Sequence, residues 1–248
     1  MRDRIDLNAD LGEERGGDAE ILPHLSSANI ACGAHAGGIE SMDAALALAA
    51  FHGVQVGAHV SYADREGFGR SVMDVDRDTL MQSIVAQIML LQSRATAFGL
   101  VVRYVKPHGA LYHEVASNVV HARALVDAVR AAEPTMDLLA PASPMLTRLA
   151  SPLRCHTEFF ADRAYTGDGT LVPRGMAGAI IEDTEQIVAR TLRWLERGHI
   201  ETIEGDLLRL EADSICLHGD EPQAVRTASA LRDALDAANV RVCPWSAP

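Results

Sequence analysis

The fold is indicated most directly by the stretch Leu100-Val101-Val102-Arg103-Tyr104-Val105-Lys106-Pro107-His108-Gly109-Ala110-Leu111-Tyr112. Its first six residues are mostly apolar and predict a buried strand. Pro107 should end that strand because it has no N–H to donate to a sheet, and Gly109 allows the sharp turn that follows. A cation, an imidazole and a phenol thus lie at the carboxyl end of a strand, where α/β folds bind their ligands. We expect a helix from about Val115.

Length and composition predict one globular domain, 1–248, with a small excursion near residues 162–180. The chain has 48% hydrophobic and 23% charged residues, which is typical of a globular enzyme. Its net charge of −12, with basic residues scattered singly, disfavours nucleic acid or an anionic membrane as a partner. Neither a long apolar run nor a signal-peptide pattern is present, so we expect no membrane association and a cytoplasmic location.

The four cysteines indicate neither a zinc ribbon nor a disulfide framework. Cys32, Cys155, Cys216 and Cys243 are far apart in the chain, and no C-x-x-C pair occurs. We therefore predict reduced, buried thiols.

The first strand is predicted by strict alternation of apolar and polar residues over residues 5–13. Its polar face carries Asp6, Asn8 and Asp10. In an exposed sheet such a face would simply be solvated. In a strand that lines a barrel, the same side chains would point into the mouth, where carboxylates bind metals or act as bases.

A run of small residues follows over residues 26–38, and it would let the backbone approach a ligand closely. It lacks the pattern of a P-loop and the glycine spacing of a dinucleotide fold, so it is no recognised phosphate site. Asn29 and His35 are its polar candidates, although a single histidine here could equally be packed in the core.

Residues 54–59 predict a strand that ends in His59, and residues 61–70 are too polar and glycine-rich for a core element. We interpret this second segment as a substrate loop. Its Arg70 could bind a carboxylate or phosphate through two parallel hydrogen bonds, or it could be an ordinary solvated residue.

Alternating strands and helices over the rest of the chain predict a parallel sheet of about seven strands. Polar residues end nearly every strand, and a barrel brings all its strand ends to one mouth, whereas an open sheet uses only those near its switch point. The distribution therefore favours a barrel. The strand-end residues are Asp10, His35, His59, Lys106, His108, Asp162, Arg163, His218 and Asp220.

Seven motifs together resemble the LamB/YcsF family, and they run from the first strand to the last helix. Any one of them is a weak signal, but seven in the same order are specific. They are DLNADLGE (6–13), SANIACGAHAGG (27–38), GAHVSYADREGFGR (57–70), VKPHGALY (105–112), FADRAY (160–165), LVPR (171–174) and CLHGD (216–220).

The resemblance implies an incomplete TIM-like (β/α)7 barrel, similar to the barrels of glycoside hydrolases and polysaccharide deacetylases. It also implies the A subunit of a bacterial 5-oxoprolinase, which opens 5-oxo-L-proline to L-glutamate at the expense of ATP together with subunits B and C. The expected cofactor is ATP with its Mg²⁺.

Opening a five-membered lactam requires anion-binding cations, a base for water and a proton donor for the leaving nitrogen. We assign Lys106 and Arg70 to the substrate carboxylate or the phosphoryl group, and Asp10 and His59 to water activation. His108 or His218 would move the proton. The expected substrate-binding residues are Asn8, Asn29, Arg70, Tyr112, Arg163 and Asp220, with an Asp162–Arg163 ion pair as the structural alternative for Arg163.

Other readings remain open at this stage. A divalent metal could be held by Asp10, His35 and His59, with His218 as a fourth candidate, as in deacetylase-like barrels. The chain could instead bind 5-oxoproline without catalysing its reaction, and present it to subunits B and C. A free-standing metal-dependent carbohydrate deacetylase or hydrolase is the third reading, and it depends on fold analogy alone.

Overall fold

A computed structural model describes residues 2–218 and 223–245 of the chain. The strands are β1 (Arg4–Leu11), β2 (Ser27–Ala31), β3 (Gln55–Val60), β4 (Val102–Pro107), β5 (Asp137–Leu139), β6 (Cys155–His156), β7 (Glu158–Phe160), β8 (His199–Glu201), β9 (Leu207–Arg209), β10 (Ser214–His218) and β11 (Arg241–Val242). The helices are α1 (Asp18–Ile21), α2 (Ile39–His52), α3 (Arg77–Ala97), α4 (Gly109–Ser117), α5 (Val119–Ala132), α6 (Pro144–Ala150), α7 (Thr184–Arg197) and α8 (Ala224–Ala237), with a 3₁₀ turn at Leu22–His24.

Eight parallel strands form a sheet that curls into a nearly closed barrel. Their order is β6-β5-β4-β3-β2-β1-β10-β7, and β11 pairs separately with β1. The two strands at the ends of this order, β6 and β7, are separated in the chain by Thr157 alone. One extended segment therefore pairs with β5 through its first half and with β10 through its second half. This arrangement confirms the predicted incomplete barrel of about seven strands.

The alternation in β1 divides its side chains between two environments. Leu7, Ala9 and Leu11 belong to the apolar core between sheet and helices, and each is fully buried. Asn8 and Asp10 lie on the other face, where they contact residues of β2, β4 and β10. The polar face of the first strand thus lines the barrel interior, as one of the two readings predicted.

Three elements differ from their sequence-based predictions. The small-residue run begins with a strand, β2, because its side chains are short enough to be buried on both faces of the sheet. Helix α4 begins at Gly109 rather than near Val115, since Gly109 takes the positive φ of 55° that turns the chain directly out of β4. The β8–β9 hairpin was not predicted.

The segment near residues 162–180 leaves the barrel and returns to it. Two antiparallel bridges hold it, between Arg163 and Ile180 and between Tyr165 and Leu171. Within residues 2–218 and 223–245, no helix has both the length and the apolar character needed to cross a membrane.

Candidate active site

A buried lysine stands at the centre of the barrel interior. Lys106 is 1% exposed, and its Nζ lies 2.9 Å from Asp10 Oδ1 and 3.1 Å from Glu158 Oε2. It also donates to Cys216 Sγ at 3.1 Å. One ammonium thus lies between two carboxylates from opposite sides of the barrel, an arrangement that offsets part of the cost of burying all three charges.

Amide side chains surround this charged group and fix its orientation. Asn29 donates to Asp10 Oδ1 at 2.8 Å and to Asn8 Oδ1 at 2.7 Å, and it accepts from the Tyr104 hydroxyl at 2.6 Å. Asn8 in turn donates to Ser214 Oγ at 2.6 Å. Because these residues come from β1, β2, β4 and β10, the network ties four strands together through side chains alone.

Three histidines and one glutamate meet beside Asp10. The Glu13 Oε1 atom lies 3.2 Å from His35 Nε2, 3.7 Å from His59 Nε2 and 3.5 Å from His108 Nδ1. His59 Nε2 and His108 Nδ1 are 2.9 Å apart, and His59 Nε2 is 3.3 Å from Asp10 Oδ2. The rings of His35 and His108 stack at 3.9 Å. We call Glu13, His35, His59 and His108 the histidine cluster; it could hold a metal ion, since one ligand atom from each lies within 4.8 Å of the others.

Backbone carbonyls fix the protonation of two of these rings. His59 Nδ1 lies 3.2 Å from the Lys106 carbonyl oxygen, and His108 Nε2 lies 2.9 Å from that of Phe68. A carbonyl oxygen only accepts, so each of these nitrogens carries the hydrogen. The other nitrogen of each neutral ring therefore presents a lone pair to the cluster.

A separate acid–base pair lies at the end of β10. His218 Nδ1 is 2.9 Å from Asp162 Oδ2, and the backbone N–H of His218 donates to the same oxygen at 3.0 Å. His218 lies beside Asp10 in the β1–β10 register and stacks on Phe160. Asp162 therefore orients the ring from one side and leaves Nε2 as the nitrogen that can exchange a proton.

Burial and neighbouring charges shift several pKa values in this region. Burial raises the pKa of Asp10, but the charges of His59 and Lys106 outweigh it and hold that pKa well below its usual value. Burial lowers the pKa of Lys106, yet the nearby Asp10 raises it well above the usual value. Burial lowers the pKa of His35 to about 4, and burial with the neighbouring imidazoles places that of His108 well below its usual range. Both rings are therefore neutral at pH 7.

The other expected substrate-binding residues have different surroundings. Arg70 is exposed at the rim, with its guanidinium 4.8 Å from the centre of the Phe68 ring. Tyr112 is buried beside Glu158, and burial next to that carboxylate raises its pKa well above the usual value. Arg163 donates to the carbonyl oxygens of Val172 and Ala179 inside the excursion, which holds that loop, while its neighbour Asp162 pairs with His218 instead. Asp220 lies outside the described residues.

Sequence reasoning missed Glu13, Glu158 and Cys216 as members of the site. Glu13 follows Gly12, whose φ of 73° breaks the alternation of β1, so its direction could not be read from the strand pattern. Glu158 did carry a signal, because a carboxylate between two strand residues such as Thr157 and Phe159 is unusual unless it is paired.

These features define the chain as a parallel α/β barrel protein with a buried carboxylate–imidazole site at its mouth. The sequence profile of the LamB/YcsF family matches residues 5–248. The chain belongs to this family.

Similar proteins match over nearly their whole length. A Pseudomonas syringae pv. tomato protein, named as the third A subunit of 5-oxoprolinase in that organism, is 48% identical over 98% of this chain and 97% of the relative. The 5-oxoprolinase A subunit of Paracidovorax citrulli is 45% identical, over 98% of this chain and 99% of the relative. Among solved structures, the lactam utilization protein from Thermus thermophilus superposes with a TM-score of 0.90 at 39% identity, covering 97% of this chain and 99% of that one.

Proposed function

We propose that this chain is the A subunit of a 5-oxoprolinase and that it works with subunits B and C to convert 5-oxo-L-proline into L-glutamate, coupled to ATP hydrolysis. The observation that carries the proposal is the identity of 48% and 45%, over 98% of this chain, with relatives named for that subunit. Because those names designate one lettered subunit of an enzyme, they support assembly with further chains. The buried acid–base site supports a hydrolytic role for this chain.

The site contains the groups that opening of an activated lactam requires. Water must lose a proton as it attacks the carbonyl carbon, and the ring nitrogen must gain one as the C–N bond breaks. Asp10 and His59, in contact at 3.3 Å, are the pair assigned to water activation. His218 is the assigned proton donor, because Asp162 holds its Nδ1 and only Nε2 remains for exchange. Arg70, at the rim, is placed to meet the substrate carboxylate.

Lys106 has a positioning role in this proposal rather than the anion-binding role that the sequence indicated. Its ammonium already contacts Asp10, Glu158 and Cys216. A substrate anion would have to displace one of these partners. Lys106 therefore acts through Asp10, whose carboxylate it keeps ionised and fixed in direction.

The described residues do not fit a nucleotide site of the P-loop type. Such a site needs a glycine-rich loop with an accessible lysine, whereas Lys106, the sole lysine in the sequence, is 1% exposed and paired with two carboxylates. We therefore assign ATP and its Mg²⁺ to the partner subunits.

The deciding experiment measures ATP-dependent formation of glutamate from 5-oxoproline by the chain alone and with candidate B and C subunits. We expect turnover only in the complete mixture. Replacing His218 with Gln should lower turnover by about 10²- to 10⁴-fold, the usual contribution of a general acid. His52→Gln, at an exposed histidine near the end of α2, is the matched control and should retain full turnover.

Two outcomes would change the proposal. Absence of glutamate in the complete mixture, with all three chains folded, would overturn it. Full turnover by both His218→Gln and Asp10→Asn would give this chain a substrate-binding role, with its partners performing the chemistry.

A further inference from the structure

Two imidazole lone pairs face each other in the histidine cluster. The Lys106 and Phe68 carbonyls take the N–H groups of His59 and His108, so the nitrogens that approach to 2.9 Å are both acceptors when the rings are neutral. The Glu13 Oε1 atom, 3.7 Å and 3.5 Å from these nitrogens, adds negative charge at the same point. Such an arrangement is repulsive unless a cation lies within it.

A shared proton is the smallest such cation, but the surroundings disfavour it. His108 is 7% exposed and His35 stacks on it at 3.9 Å, so an imidazolium would be poorly hydrated and close to a second ring. Burial and the neighbouring imidazoles lower the pKa of His108 well below its usual range. A cation that neutral imidazoles bind is therefore the better match.

The spacing of the ligand atoms matches a tetrahedral ion. Four ligands about 2.0–2.1 Å from such an ion are roughly 3.3–3.4 Å apart. The measured separations in the cluster include 3.2, 3.5 and 3.7 Å around Glu13 Oε1 and 2.9 Å between His59 and His108. Small rotations of the side chains would bring all four atoms to such an ion.

The surrounding shell also resembles that of a metal site. Metal-binding histidines usually donate their second N–H to a carbonyl or a carboxylate, which fixes the tautomer, and His59 and His108 both do so. His35 is 1% exposed, and its Nδ1 has no hydrogen-bond partner among the described residues. This ring is thus held by packing and by its approach to Glu13, as expected if Nε2 has a further bond to make.

We propose that Glu13, His35, His59 and His108 form a binding site for one divalent transition-metal ion of the Zn²⁺ type. Three imidazoles and one carboxylate are a ligand set that suits Zn²⁺. The set differs from the one that the sequence suggested, because Glu13 and His108 replace Asp10. Asp10 lies next to the site, 3.3 Å from His59 Nε2, and with His59 bound to the ion it would be the remaining base for water in the reaction, a role that rests on the proposed function.

Metal binding can be tested without any assay of activity, so its failure and that of the proposed function are distinguishable. The purified chain would be treated with a chelator, dialysed, and titrated with Co²⁺ and with Zn²⁺. We expect one ion per chain, the visible absorption of four-coordinate Co²⁺, and a higher unfolding temperature with Zn²⁺. Absence of stoichiometric binding of both ions to the folded chain would overturn the proposal.

Variants identify the ligands. Loss of a residue that only supports a ligand typically weakens metal binding by about 10- to 100-fold, so His108→Gln and the nearly isosteric Glu13→Gln should weaken it by about 100-fold or more. His218→Gln, at a neighbouring histidine outside the cluster, should bind the ion as the unaltered chain does. Unchanged affinity in both cluster variants would contradict the assignment, and circular dichroism would verify that each variant is folded.

Discussion

Lys106 shows at the scale of one residue how burial changes what a side chain can do. As a sequence feature it was a cation at a strand end, available to an anion. In the structure its ammonium is enclosed by Asp10, Glu158 and Cys216. The sequence could locate this lysine at the barrel mouth, but it could not show how many of its donors are already used, because its partners lie on strands far away in the chain.

Asp6 provides a prediction at the same scale. Three serine hydroxyls donate to its carboxylate, but burial outweighs them and raises its pKa from 3.8 to about 6. Since the folded state binds this proton more tightly, Asp6 contributes stability below about pH 4 that is lost as the pH rises through about 6. The two pKa values correspond to about 3 kcal/mol at neutral pH.

We therefore expect Asp6→Asn to remove this pH dependence. Urea unfolding at several pH values between about 4 and 7 should show the unaltered chain losing up to about 3 kcal/mol relative to the variant. Asp3→Asn, at an exposed aspartate of the same segment, is the control. A constant difference between Asp6→Asn and the unaltered chain across this range would show that Asp6 does not titrate as described.

At the scale of elements, β3 and β4 are fitted to each other through one glycine. Gly57 pairs with Tyr104 in the parallel register, and a Cβ at Gly57 would lie 2.2 Å from Tyr104 Cε2. The missing side chain gives the ring its place, and from there the hydroxyl reaches Asn29 at 2.6 Å. Asn29 then positions Asp10. A glycine in a strand thus determines the direction of a carboxylate in the site.

Gly57→Ala should consequently displace the Tyr104 ring. We expect a loss of about 1–3 kcal/mol in the free energy of unfolding from overpacking, together with weaker glutamate formation as Asn29 loses its hydrogen bond. Tyr104→Phe, which removes only the hydroxyl, should cost about 1 kcal/mol. Urea unfolding of both variants measures these losses.

The matched control for this prediction is Gly175→Ala, where a Cβ would meet nothing within 4 Å. If Gly57→Ala and Gly175→Ala were equally stable, the close approach of Gly57 and Tyr104 would not be a constraint on the fold.

The regular elements were predictable because their signals are local. The alternation in β1 and the proline and glycine after β4 each act over a few residues, and the structure confirms the strand ends that they define. The exact start of α4 was not predictable, since it depends on how Gly109 fits against Gly69, to which Ala110 donates at 2.9 Å. That contact joins two loops that are far apart in the sequence.

At the scale of the whole molecule, the barrel depends on how its two edges meet. The edge formed by β5 and β6 and the edge formed by β7 and β10 are joined by the segment around Thr157. The Thr157 carbonyl accepts from Asp213 N at 2.8 Å, and its own N–H donates to the Asp213 carboxylate at 3.1 Å. The composition of this segment gave no indication that it closes the barrel, because closure is a property of the complete strand order.

His156 places a charge across this junction. Its Nε2 lies 3.2 Å from Asp137, at the start of β5, and its Nδ1 lies 3.5 Å from Asp213, just before β10. Burial lowers the pKa of His156, but the hydrogen bonds to both carboxylates outweigh it and raise the pKa to about 9. The histidine is therefore charged at neutral pH and connects the two edges of the sheet.

The pH at which this connection fails follows from the two pKa values. Because the folded-state pKa is raised, the stabilisation is complete below the usual value of 6.5 and is lost as the pH rises through about 9. We expect His156→Gln to lower the free energy of unfolding by about 1–2 kcal/mol near pH 6, a value reduced for solvent screening, and by much less near pH 10. Urea unfolding at both pH values measures this, with His52→Gln as the exposed control. A deficit of the same size at both pH values would mean that packing of the ring, rather than its charge, joins the two edges of the barrel.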